Sequence, residues 1–247
     1  MPFSIDINCD MGEGMATDAL IMPFISSANI ACGFHAGNET IMQQTVELAL
    51  RYNVAIGAHP SFPDKENFGR TNMHFSPEQV STMVKEQVEL LAGIAAKNNC
   101  KLHHVKPHGA LYNMAAKDEE LSAAICTAIK EIDASLLVYA LSGSKMVDVA
   151  QAMGLQAYHE IFADRTYQPD GSLTPRSMTN ALLLNEDEVT KQVLQILLEK
   201  KLTTTDGKMI SLKADTICIH GDGGHAVEFA KAIHDKLKEN NIITRSS

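Results

Sequence analysis

Aspartate or histidine stands at the C-terminal end of one short apolar run after another in this 247-residue chain. SIDINCD ends on Asp10, NIACGFH on His35, VAIGAHP carries His59, HHVKPHG carries His108, and TICIHGD holds His220 and Asp222. Carboxylates and imidazoles move protons near neutral pH and ligate divalent ions. If the runs are parallel strands, their polar ends face one another across a single cavity, and the pattern points to an enzyme.

The elements needed to position those ends are legible. Strand-like runs are expected near residues 4–10, 26–32, 54–59, 102–108, 136–141, 156–162 and 215–220, alternating with amphipathic stretches in the manner of parallel βα units. Ser76-Pro77-Glu78-Gln79 reads as a capping box with proline at the first helical position, and Val80, Val84, Val88, Leu91 and Ala95 follow at helical spacing. Asn38, Asp118 and Asn185 are N-cap candidates for three more helices, and a last helix is expected from about His225 to Lys238. The irregular stretches 60–76 and 163–180 read as long loops following strands, where functional residues concentrate. About seven such units favour an α/β fold with one distorted, closed barrel over residues 1–247, with an open doubly wound sheet as the alternative.

Alternation within each strand separates its two faces. Ile5, Ile7 and Cys9 oppose Asp6, Asn8 and Asp10. By the same parity Asn29, Ala31, Gly33 and His35 fall together, as do Gly57 with His59, His104 with Lys106 and His108, Glu160 with Phe162 and Asp164, and Thr216 with Cys218, His220 and Asp222. Helices cover the outside of a barrel, so the apolar faces belong outward and the polar faces inward. Burying unpaired ions costs several kcal/mol each, and this many inward acids, imidazoles and a lysine therefore require water, a metal or a polar ligand among them. Any single histidine can merely cap a strand; the set Asp10, His59, His108, His220 and Asp222 is harder to explain that way.

Composition removes several classes. The formal charge is −9, from 21 basic and 30 acidic residues, without a long basic cluster, which argues against nucleic acid as a partner. No run approaches the length of a membrane span and the N-terminus enters a strand pattern directly, so the expectation is a cytoplasmic protein without a membrane partner. Cys9, Cys32, Cys100, Cys126 and Cys218 are scattered, without a C-x-x-C pair, and read as reduced thiols.

Individual motifs are weaker than the ensemble. Asp10-Met11-Gly12-Glu13-Gly14 looks like a phosphate-binding turn, but Thr17 replaces the third glycine and Glu13 would repel phosphate; a tight turn aiming Asp10 and Glu13 at the cavity is the better reading. The loop Gly221-Asp222-Gly223-Gly224-His225 could offer amides to an anion. No Walker-type loop is present, so a nucleotide would bind in another manner. Arg70 and Arg165, in the two long loops, are candidate clamps for a carboxylate or phosphoryl group. No local metal-ligand spacing such as H-E-x-x-H occurs, and no metal ligands are assigned.

Six segments together resemble the LamB/YcsF family: Asp6 to Gly14, Ser27 to Gly37, Gly57-Ala58-His59-Pro60, Val105 to Tyr112, Glu160 to Tyr167, and His220-Gly221-Asp222, in family order over nearly the whole chain. The resemblance implies a barrel akin to the glycoside hydrolase/deacetylase superfamily. It also implies ATP-dependent opening of the 5-oxoproline lactam to L-glutamate, with Mg2+ accompanying ATP and two partner subunits of the B and C type. On that reading Asp10, His59, Lys106, His108, His220 and Asp222 are the catalytic candidates. Asp10 or Asp222 would activate water, the histidines would carry protons and Lys106 would stabilise an oxyanion. Glu13, Asn29, His35, Arg70, Glu160, Asp164 and Arg165 are the candidates for holding substrate. The alternatives are a metal-dependent amide hydrolase, such as a carbohydrate deacetylase, and a non-catalytic component that only binds the lactam.

Overall fold

The computed structural model describes residues 4–246. Its strands, in chain order, are β1 (Ser4–Met11), β2 (Ser27–Ala31), β3 (Ala55–His59), β4 (His104–Val105), β5 (Leu137–Leu141), β6 (Ala157–Phe162), β7 (Lys201–Thr203), β8 (Met209–Ser211), β9 (Thr216–Ile219) and β10 (Ile243–Thr244). The helices are α1 (Asp18–Ile21), α2 (Glu39–Arg51), α3 (Pro77–Lys97), α4 (Gly109–Ala115), α5 (Glu119–Ile132), α6 (Lys145–Ala152), α7 (Glu186–Glu199) and α8 (Ala226–Glu239), with a 3-10 turn at Met22–Phe24.

Strands pair in the order β1-β2-β3-β4-β5-β6-β9, all parallel, and β9 pairs back onto β1 through Asp6 with Thr216 and Asn8 with Cys218. That last ladder closes the barrel and decides against the open sheet. β10 adds to the start of β1, through Ser4 and Ile243. Each expected strand is present. The fourth is shorter than the anticipated 102–108, because Pro107 has no N–H for the ladder; the Lys106 and His108 amides still donate to the Ala58 and Pro60 carbonyls at 2.9 and 2.8 Å.

The helices start where capping side chains place them. Asn38 accepts from the Ile41 amide, Asp118 from Glu120 and Leu121, Asn185 from Asp187, and Ser76 with Gln79 forms a complete capping box. Their apolar stripes, such as Val80, Val84, Val88, Leu91 and Ala95 of α3, pack on the outer barrel face, where Ile5, Ile7, Cys9, Ile30, Ala58, Val105, Val138, Ile161 and Ile217 are buried. Burying one such aliphatic side chain contributes roughly 1.5–3 kcal/mol, so the stabilising core is the layer between barrel and helices.

Between β6 and β9 lies an excursion of three parts: the loop from Ala163 to Asn185, then α7, then the β7–β8 hairpin. The hairpin lies outside the sequence-based assignment, although Asp206-Gly207 between Leu202 and Ile210 carries the turn signal for it. So do α4, α6 and β10. The five cysteines are free, four of them buried, and no helix of the described residues is long and apolar enough to cross a membrane.

One barrel position admits no side chain. A Cβ on Gly57 would overlap the His104 imidazole, which stacks on Tyr139 with centroids 4.0 Å apart and places Nε2 2.6 Å from Asn29 Oδ1. Gly57→Ala is therefore expected to lower unfolding stability by about 1–3 kcal/mol, read as a shift of the urea midpoint; an unchanged midpoint would show that His104 swings aside freely.

Candidate active site

The inward faces of the strands form stacked polar layers. At the lower end Asp6 accepts hydrogen bonds from the hydroxyls of Ser26, Ser27, Tyr139 and Thr216. Above it Asn8 donates to Glu160 Oε1 at 2.9 Å and to Thr216 at 2.7 Å, and Asn29 donates to Asn8 Oδ1 and Asp10 Oδ1, both at 2.7 Å.

Lys106 crosses the next layer. Its ammonium lies 2.8 Å from Asp10 Oδ1, 2.9 Å from Glu160 Oε1, 3.0 Å from Cys218 Sγ and 3.2 Å from Asn8 Oδ1. Burial disfavours the charged amine, but the charges of Asp10 and Glu160 outweigh it and hold the Lys106 pKa well above the ordinary value. Burial likewise works to raise the Asp10 carboxyl, and the neighbouring His59 and Lys106 charges overcome it, keeping Asp10 well below the usual carboxylate range. Cys218 is pushed up by burial and stays a thiol.

Three histidines and Glu13 sit on this floor. His59 Nδ1 contacts the Lys106 carbonyl at 2.7 Å and its Nε2 lies 3.4 Å from Asp10 Oδ2 and 2.9 Å from His108 Nδ1. His108 Nε2 contacts the Phe68 carbonyl at 2.9 Å, tying the 60–76 loop to the β4 end. The same junction requires Gly109, whose φ is +53° and whose missing Cβ would strike the Gly69 carbonyl. His35 stacks on His108 with centroids 3.8 Å apart and bridges Ser61 at 2.9 Å and Glu13 at 3.2 Å. Burial, then the Asp10 and Asp222 charges, push the Glu13 carboxyl up. Burial and the His59 charge lower the His35 imidazole to about 2, and burial with His59 and His35 lowers His108.

At the rim His220 Nδ1 lies 2.9 Å from Asp164 Oδ1, an acid–imidazole dyad; burial opposes ionisation of Asp164, and the His220 charge and hydrogen bond prevail to lower its pKa. Arg70 pairs with Asp222 at 2.6 Å. A cavity of about 630 Å3 opens here, lined among others by Asp10, His59, Lys106, His108, Arg70 and His220. A groove of about 650 Å3 on the α7–α8 surface is lined by the faces of those helices, remote from the buried charges.

Most of the anticipated residues therefore meet around one cavity. Asp222 and Arg70 face each other at its edge, Asn29 and Glu160 lie beneath its floor, and Arg165 lines the cavity while its Nε and Nη2 donate to the Ala181 and Thr174 carbonyls and hold the 163–185 loop. That loop role, in a buried setting that lowers Arg165 to about 10, leaves Arg70 and Arg176 as the cavity's other guanidinium groups. Sequence reasoning passed over Asn8, which its own parity placed between Asp6 and Asp10, and Tyr112, one helical turn beyond His108. Tyr112 lies against Glu160, yet its hydroxyl and Glu160 Oε2 complete no hydrogen bond. Donor atoms of Glu13, His35, His59 and His108 lie within 4.8 Å of one another, as do those of Asp10, Cys218 and His220. The second set is a poor metal site, since Cys218 is a neutral thiol accepting from Lys106 and His220 Nδ1 is taken by Asp164.

A closed parallel barrel with an ionised acid, a buried lysine and clustered imidazoles at the C-terminal strand ends defines a hydrolase-type α/β barrel. The chain belongs to the LamB/YcsF family, whose family model matches residues 5–247. It is 52% identical over 243 residues to the 5-oxoprolinase A subunit of Tolumonas auensis, covering 96% of this chain and 97% of that protein. It is 49% identical over 249 residues to the 5-oxoprolinase A subunit of Bordetella parapertussis, covering 99% of each. The crystal structure of the lactam utilization protein from Thermus thermophilus superposes with a TM-score of 0.93 at 38% identity, over 99% of this chain and 100% of that one. A peptidoglycan deacetylase from Bacillus subtilis, at 11% identity and a TM-score of 0.50, over 99% of this chain and 87% of that one, shares the fold alone.

Two outcomes follow from the charges. Lys106→Met strands Asp10 and Glu160 without their counter-ion and should cost about 3–5 kcal/mol of stability in urea unfolding, part of it recovered by adding Glu160→Gln; a neutral effect would contradict the ion triad. Asp164, lowered when folded, contributes stability that is complete above its unfolded pKa of about 3.9 and is lost as pH falls through the lower folded value. Asp164→Asn should remove that acid limb from the stability profile below about pH 4, so superimposable profiles would disprove the dyad.

Proposed function

We propose that this chain is the A subunit of a 5-oxoprolinase and contributes the floor of the site at which the lactam of 5-oxo-L-proline is opened to L-glutamate, with ATP consumed and subunits of B and C type as partners. What carries the reading is Asp10, kept ionised by Lys106 and His59 at the base of a cavity whose rim holds a second acid–imidazole pair. The kinship with proteins named for 5-oxoprolinase and lactam utilisation supports it.

A lactam carbonyl is a poor electrophile. ATP, with Mg2+, supplies the phosphoryl group that turns its oxygen into a leaving group, and no Walker-type loop of this chain holds it. The chain's own residues perform the rest. Asp10, as general base, accepts the proton of a first water that adds to the phosphorylated carbon as the ring nitrogen departs, leaving an acyl phosphate, and then of a second water that displaces inorganic phosphate to give L-glutamate. Lys106 keeps Asp10 ionised and in place: three N–H donors face four acceptors, so it has none left for a substrate oxyanion. The anticipated oxyanion role therefore does not fall to Lys106. His220, oriented through Nδ1 by Asp164, presents Nε2 as the proton donor to the departing ring nitrogen, in the logic of an acid–histidine dyad. Arg70, at the rim, is placed to meet the substrate carboxylate, and Asp222 orients it.

Reconstitution of the chain with the two partner subunits, following ADP and glutamate together, tests the assignment. Asp10→Asn and His220→Gln should each lower 5-oxoproline-dependent glutamate release by about 10²–10⁴-fold while the circular dichroism spectrum is retained. Wild-type turnover in either variant refutes the roles given, and lactam opening by the chain alone without ATP would favour a metal-dependent amide hydrolase instead.

A further inference from the structure

In their neutral forms His59 and His108 face each other through nitrogens that carry no proton. His59 Nδ1 lies 2.7 Å from the Lys106 carbonyl and His108 Nε2 lies 2.9 Å from the Phe68 carbonyl. A carbonyl oxygen only accepts, so both outer nitrogens are N–H donors and, in neutral rings, both inner nitrogens are lone pairs. Those inner atoms, His59 Nε2 and His108 Nδ1, are 2.9 Å apart, and Glu13 Oε1 lies 3.6 Å from the second of them. Two lone pairs and a carboxylate converging in a buried site call for a cation among them.

We propose that His59 Nε2, His108 Nδ1 and Glu13 Oε1 bind one divalent transition-metal ion, with Zn2+ the best match to two imidazoles and a carboxylate. With bonds of about 2.0–2.2 Å, neighbouring donors of a tetrahedral or octahedral shell lie roughly 2.9–3.5 Å apart, close to the 2.9 and 3.6 Å measured here. The outer nitrogens of both histidines rest on backbone carbonyls, the arrangement that fixes tautomer and ring orientation around a metal. The charges agree as well: Lys106 is taken up by Asp10 and Glu160, and among the described residues Glu13 forms ion pairs with no lysine or arginine, only with His35 and His108. The site opens on the cavity lined by Asp10, His59 and His108, leaving room for water or substrate on the ion, as in sites that do chemistry.

His35 belongs to this cluster without being a ligand. Its ring is parallel to that of His108, 7° between planes and 3.8 Å between centroids, so an ion in the plane of one ring lies far out of the plane of the other. With Nε2 3.2 Å from Glu13 Oε1 and Nδ1 2.9 Å from Ser61, His35 is a positioning residue for the Glu13 carboxylate.

The test is direct. The purified full-length chain, stripped with chelator, is titrated with Zn2+ by calorimetry, and retained metal is counted by mass spectrometry after desalting. One Zn2+ per chain is expected. Glu13→Gln and His108→Ala should weaken binding by more than about 100-fold, and His35→Ala by about 10- to 100-fold at unchanged stoichiometry, with circular dichroism confirming the fold of each. Nitrogen-15 spectra of the imidazoles should show His59 and His108 shifting together on Zn2+ addition. A wild-type chain that retains no Zn2+, equal affinity in Glu13→Gln, or imidazole signals indifferent to Zn2+ would each overturn the site.

Discussion

The ammonium of Lys106, held between two carboxylates in the middle of the barrel, is the constraint on which the remaining architecture turns. A lone ion in that position would cost several kcal/mol, and even a pair is sustained only when its remaining donors and lone pairs are used. The barrel meets that demand by drawing partners from several strands: Asp10 and Asn8 from β1, Glu160 from β6 and Cys218 from β9, while Lys106 itself leaves β4. Satisfying the ion therefore ties together strands far apart in the chain, so the chemistry and the closure of the barrel share the same bonds.

A polar interior relocates the hydrophobic core. Side chains that fill the middle of most barrels of this type are here replaced by layers of carboxamide, hydroxyl and carboxylate, and the aliphatic residues move to the helix-facing side. The lowest layer shows how far this goes, with Asp6 enclosed by four hydroxyl groups. Each of those hydroxyls donates its only proton into the carboxylate, which makes the lower end a rigid plug beneath the cavity.

This inversion is why so much of the fold is readable from the residues. A period of two with acids and imidazoles on one face identifies both the strands and the side that points inward, and Asp6, Asn8, Asp10, His104, Lys106, Glu160 and Thr216 all lie where parity puts them. Periodicity says nothing about what happens once the chain leaves a strand. Glu13 reaches His35 because a turn folds back over β2, and His108 is held by a carbonyl of Phe68, forty residues away in the chain. Arg165 is the clearest case. By sequence it is a charged residue in a long loop beside the site, equivalent to Arg70; in space it is wound into its own loop, bonded to the carbonyls of Thr174 and Ala181. Loop backbone geometry decides between those fates, and no side-chain pattern encodes it.

The donor count of Lys106 shapes the chemistry as much as its charge does. An ammonium with three protons and four acceptors at 2.8 to 3.2 Å cannot turn toward a substrate without abandoning Asp10 or Glu160, and abandoning either exposes an unpaired buried carboxylate. Its influence on the reaction is thus confined to the state of Asp10, a carboxylate kept ionised and fixed within the barrel wall. Positive charge for the substrate oxygen has to come from the cavity side, and there the groups able to supply it are the guanidinium groups at the rim and a cation held between the facing nitrogens of His59 and His108. The division is economical in structural terms: the lysine below sets the base, the cavity side above meets the substrate, and Asp10 stands between, in contact with Lys106 and with His59.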